Sequence, residues 1–101
     1  MNKAKIIEAL NLGNLEWRKH ALERMLERDI SRVEVKDTLH YGEIIENYET
    51  DTPFPSALFF YIKTKAIHVV ASLDEETTTI FIITAYVPDT KHFCDDLKRR
   101  R

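Results

Sequence analysis

His20, Arg24 and Arg28 recur at intervals of four. On a helix they fall within an arc of about 80° and form one seam. An imidazole beside two guanidinium groups suits an anion: Arg24 as the fork for a phosphate or carboxylate, His20 as proton donor or acceptor. The same seam has a structural reading, in which His20 bridges a hydrogen-bond network at the core edge and the arginines pair with Glu23, Glu27 or sheet carboxylates. Spacing alone leaves both open. His68 stands in the apolar run Ile67-His68-Val69-Val70, where burying an imidazole requires a partner. Thr84 and Tyr86 share a face with Ile80 and Ile82 by a period of two, which sets two hydroxyls beside the turn at Pro88-Asp89.

The elements that must position these groups are helices first and strands after. Ile6, Ile7 and Leu10 suit a short amphipathic helix over about residues 3 to 12, stopped by Gly13. A second helix is expected from Trp17 to Arg28, with Trp17, Ala21, Leu22, Met25 and Leu26 on its apolar arc. Ser31-Arg32-Val33-Glu34 reads as a capping box, with Ile30 and Val35 as its staple, so a third helix runs over about residues 32 to 41 and ends at Gly42. Beyond Gly42, β-branched and aromatic residues dominate Glu43 to Tyr48, Ala57 to Lys63, Ala66 to Leu73 and Thr78 to Val87. Pro53 and Pro55 interrupt the first two runs, and short polar turns join the others. The expected fold is α+β: N-terminal helices packed on a four-stranded antiparallel sheet, then a short polar helix or tail over residues 88 to 101.

A chain of 101 residues with 44% hydrophobic content supports one core and hence a single domain. Its only cysteine, Cys94, forms no intrachain disulfide, and no stretch has the length and apolarity of a membrane span. A cytoplasmic location away from membranes is expected. The net charge of −2 counts against a nucleic-acid partner. A local patch such as Lys98-Arg99-Arg100-Arg101 outweighs the sum, although a terminal charge run is usually a solvated one. His20, His40, His68, His92 and Cys94 show no ligand spacing, so neither metal nor cofactor is expected. Asp95 and Asp96 disfavour a thiolate at Cys94, and no glycine-rich phosphate loop exists.

Taken in order, His20-Ala21-x-x-Arg24-Met25-x-x-Arg28, Ser31, Gly42-Glu43-Ile44-Ile45, Tyr48, the Pro53/Pro55 loop, His68-Val69 and Thr84-x-Tyr86-x-Pro88-Asp89 resemble the domain-of-unknown-function 4258 family over about residues 17 to 93. That family resembles the small ribonuclease-type folds of RelE-like toxins, barnase and colicin RNase domains, whose sheet face carries the active site. The resemblance implies metal-free RNA cleavage, with His20 and His68 as base and acid in unassigned order and Arg24 stabilising phosphate charge. It further implies that Arg28 and Thr84 hold substrate, while Tyr86 donates a hydrogen bond or stacks on a base. RNA and an antitoxin-like protein are the partners it suggests, while a chain of this size would also gain stability by pairing with a second copy of itself. Where family members carry a tryptophan, this chain reads Lys91-His92-Phe93-Cys94, with Phe93 in that role. The rival reading is a non-catalytic protein-binding module of the same fold.

Overall fold

Asn2 opens helix α1 (Lys3–Leu12) by accepting the Ala4 amide hydrogen on its side chain, and Gly13 closes it at φ 73°, a conformation natural to glycine. The computed structural model describes residues 1–101. Leu15–Trp17 then forms a strand, β1, before helix α2 (Lys19–Glu27). Trp17 therefore lies outside the helix expected to carry it, and Leu26 is 85% exposed, so the buried arc of α2 narrows to Ala21 and Met25. Helix α3 (Arg32–Tyr41) has the expected capping box, formed reciprocally by Ser31 and Glu34. Ile30 and Val35, the expected staple, are both buried in the core.

Strands β2 (Glu43–Tyr48), β3 (Ser56–Ile62), β4 (Ala66–Asp74) and β5 (Thr79–Tyr86) follow as an antiparallel meander. The sheet is nevertheless five-stranded and mixed, in the order β1-β5-β4-β3-β2, because β1 adds to β5 in parallel. The expected four-stranded antiparallel sheet is corrected on this point. Three residues are too few to show an alternation, and Trp17 satisfies a helical arc as well as a strand. Because the strap described below contains turns and an antiparallel bridge between Phe93 and Arg100, the C-terminal segment is not a helix. No helix is long and apolar enough to cross a membrane.

The helices cover one face of the sheet, where Ile6, Ala9, Ala21, Met25, Val35 and Leu39 pack on Phe59, Val69, Ala71, Ile80 and Ile82. Residues alternating with these point to the other face. There, residues 88–101 cross as a strap, with Phe93 and Leu97 against His68 and Lys98 over Phe60. One irregularity decides what this face displays. Between β4 and β5 the register shifts, so that Val70 pairs with Thr84 but Ala71 pairs with Ile82, leaving Ile83 as the extra residue of a β-bulge. Ile80, Ile82 and Ala85 consequently face the helices, and Phe81, Thr84 and Tyr86 face away from them. Thr84 and Tyr86 thus do not share a face with Ile80 and Ile82, as unbroken alternation predicts.

Gly42 ends α3 in extended conformation rather than a left-handed one. Its constraint is space: a Cβ would press into the carbonyl oxygens of Thr38 and Phe60. Both are backbone atoms, so Gly42→Ala should lower stability by about 1–3 kcal/mol, read as a lower urea midpoint at unchanged slope.

Candidate functional site

The strand β1 pairs only with Ile80–Ile82 and leaves the rest of the β5 edge without a strand partner. Arg28, the C-cap residue of α2, fills the gap. Its Nη1 donates to the Ala85 carbonyl at 2.9 Å and lies 3.4 Å from the Thr84 hydroxyl oxygen, while its Nε and Nη2 have no protein partner. A guanidinium edge is thereby fixed at one end of the open sheet face.

Across β4, His68 is wholly buried. Its Nε2 stands 2.7 Å from the Leu97 carbonyl oxygen, which only accepts, so Nε2 carries the proton. Its Nδ1 then accepts from the Tyr86 hydroxyl at 3.2 Å. Burial holds the imidazole below its ordinary pKa of 6.5, against smaller opposing contributions from the Leu97 contact and the Glu46 charge. Phe93 and Phe60 meet its ring edge-on, with centroids 4.6 and 5.5 Å away. Burial likewise raises the pKa of Tyr86, which stays a phenol. On β2, Glu46 receives Arg100 bidentately, Nε to Oε2 at 2.9 Å and Nη2 to Oε1 at 3.1 Å, and also accepts from the Tyr48 hydroxyl. Burial alone would raise the pKa of Glu46, but the Tyr48 and Arg100 hydrogen bonds lower it on balance.

Between Arg28 and the strap lies an open groove of about 490 Å³, lined by Arg28, Tyr86, Val87, Pro88, Asp89, His92, Phe93 and Arg100. Asp89 Oδ1 accepts the Lys91 and His92 amide hydrogens, each at 3.0 Å, and stands 2.9 Å from His92 Nδ1. The His92 hydrogen bonds hold the Asp89 carboxyl below its usual range. An ionised carboxylate only accepts, so Nδ1 of His92 donates to it, and Nε2 has no partner within the protein. The groove therefore has a guanidinium and an oriented imidazole among its lining groups.

Of the residues singled out in the sequence, Arg28, Thr84, His68 and Tyr86 meet at this end of the sheet. His20 and Arg24 do not join them. The His20 side chain is 91% exposed, 3.6 Å from Glu23, and Arg24 pairs with Glu27 at 3.1 Å, the pairing of the structural reading. His20 lines a different groove with Ser72, and Ser72 is about 13 Å along β4 from His68 at roughly 3.3 Å per residue. His92, Asp89, Glu46 and Arg100 were missed. The Asp-x-x-His spacing after Pro88 was the available signal for the first pair, whereas Arg100 reads in sequence as part of a solvated tail. No three His, Cys, Asp or Glu side chains gather as a metal site.

The buried imidazole gives a signed expectation. Its folded pKa lies below the unfolded value of 6.5, so the unfolded chain binds more protons as pH falls through that value, and stability is lost. Lowering the pH from about 7.5 to about 5.5 should therefore narrow the stability gap between wild type and His68→Gln. Urea midpoints of both proteins at the two pH values check this, and a constant gap would contradict it.

No curated protein and no solved structure matches the chain. The family model described as "Domain of unknown function (DUF4258)" matches residues 17–87, from the last residue of β1 through β5. This is more than half of the chain and includes Arg28, His68, Thr84 and Tyr86, so the chain belongs to the DUF4258 family.

Proposed function

We propose that the chain is a metal-free ribonuclease of toxin type whose reaction takes place in the Arg28–His92 groove. The observation that carries this reading is the Asp89-oriented imidazole with its Nε2 free, beside a guanidinium with two nitrogens free. His92 Nε2 takes the ribose 2′-OH proton as that oxygen attacks phosphorus. The P–O5′ bond breaks, and the imidazolium returns the proton to O5′, giving a 2′,3′-cyclic phosphate and a 5′-OH. Arg28 holds the phosphate oxygens as their charge grows. The hydroxyl of Tyr86 is committed to His68, so this side chain offers its ring to a base. His68 is a positioning residue in this scheme, fixing Tyr86 and the strap.

The position of the groove on the sheet face away from the helices supports the likeness to RelE-type ribonucleases. The alternative of a non-catalytic protein-binding module draws support from charge: Glu46 neutralises Arg100, and the chain as a whole carries −2.

Incubation with a long single-stranded RNA in excess EDTA decides between them. Wild type should produce 2′,3′-cyclic phosphate ends, and His92→Gln should cut at least about 10²-fold more slowly, with Asp89→Asn also slowed. Absence of EDTA-resistant cleavage, or equal cleavage by all three proteins, would favour the binding module.

A further inference from the structure

A second groove of about 360 Å³ opens at the other end of β5, where Arg18, His20, Phe54, Ser72, Phe81 and Ile83 line it. The rings of Phe54 and Phe81 stack with centroids 5.4 Å apart and planes 5° from parallel. The guanidinium carbon of Arg18 lies 5.2 Å from the Phe81 centroid. Arg18 is exposed and has no carboxylate partner, and the Ser72 hydroxyl has none within the protein. Flat aromatic surface, an unpaired guanidinium and a free hydroxyl together suit one unpaired nucleobase with its phosphate.

Position strengthens the assignment. Arg18 is the N-cap residue of α2 and Arg28 its C-cap residue, so the two arginines are separated by about 15 Å of helix rise. Arg28 meets β5 at Ala85 and Arg18 meets it at Phe81. Phe81, Thr84 and Tyr86 share the face away from the helices, so both grooves open along one side of one strand. That spacing corresponds to a few nucleotides of an extended strand. We propose that the Arg18–Phe54–Phe81 groove is a base-stacking subsite for single-stranded RNA, a few nucleotides from the reacting phosphate; the proposal rests on the ribonuclease reading above. His20 sits at this subsite as a polar contact to the strand, away from the bond that breaks.

Two substrates separate this proposal from that reading. A short single-stranded RNA methylated at its 2′ oxygens cannot be cleaved and spans both grooves, whereas a dinucleotide reaches the first groove alone. Fluorescence anisotropy with the methylated RNA should show binding weakened about tenfold, the worth of one stack, by Phe54→Ala and by Arg18→Gln. Phe54→Leu keeps apolar bulk in the loop without a ring face and should weaken binding comparably, with its urea midpoint confirming the fold. All three variants should cleave the dinucleotide at the wild-type rate. Unchanged affinity in all three variants, with wild-type cleavage of the dinucleotide, would overturn the subsite and leave the ribonuclease standing. Sensitive binding without dinucleotide cleavage by wild type would keep the subsite and overturn the cleavage. Failure of wild type to bind the methylated RNA would overturn the subsite whatever the dinucleotide shows.

Discussion

The open face of the sheet is organised by one neutral imidazole. His68 projects from β4 into a space closed to solvent, donating to the strap through Nε2 and accepting from β5 through Nδ1. Leu97 reaches it by adopting φ 60°, a left-handed turn that costs an L residue roughly 1–2 kcal/mol. The hydrogen bond and the edge-on rings of Phe60 and Phe93 offset that cost. The imidazole thus joins a residue of the family-matched segment to one beyond Val87, where the match stops. Removing it would leave the half-buried Leu97 carbonyl unpaired and the Tyr86 hydroxyl without its acceptor. The shape of the groove follows from this contact, because Phe93 and His92 are placed by the same strap.

Electrostatics set Arg18 and Arg28 apart from four other arginines. Arg24, Arg99, Arg100 and Arg101 pair with carboxylates within 3.1 Å and contribute little beyond local order, being largely exposed. Arg18 and Arg28 are held by a ring and by backbone, so no carboxylate neutralises them. A small negative net charge is therefore compatible with two positive points on one strand's open side. The sum of charges conceals what the arrangement provides.

The helices were legible where local chemistry terminates them: Gly13, the Ser31–Glu34 box and Gly42 each mark a boundary that the structure keeps. The four long strands were legible from composition and from the prolines between them. Strand β1 was not, since its pairing with β5 is long-range and Trp17 fits either periodicity. The seam of His20, Arg24 and Arg28 was correct as helix geometry, yet three residues on one stripe were dispersed by their neighbours: Glu23 and Glu27 hold the first two on the helix surface, and only Arg28 finds an unpaired carbonyl to reach. The placement of His92 and Arg100 beside the sheet depends on a strap whose course no local pattern announces.

The bulge at Ile83 has a consequence for self-association. An uncovered strand edge is a template on which another chain can add, and β1 leaves the end of β5 without a strand partner. The extra residue breaks the even spacing of donors and acceptors there, and the guanidinium of Arg28 occupies the carbonyl of Ala85. Ile83 remains 43% exposed at this place, an apolar side chain beside an edge whose register the bulge interrupts. The feature that directs two grooves to the same side also makes this stretch of β5 a poor template for a further strand.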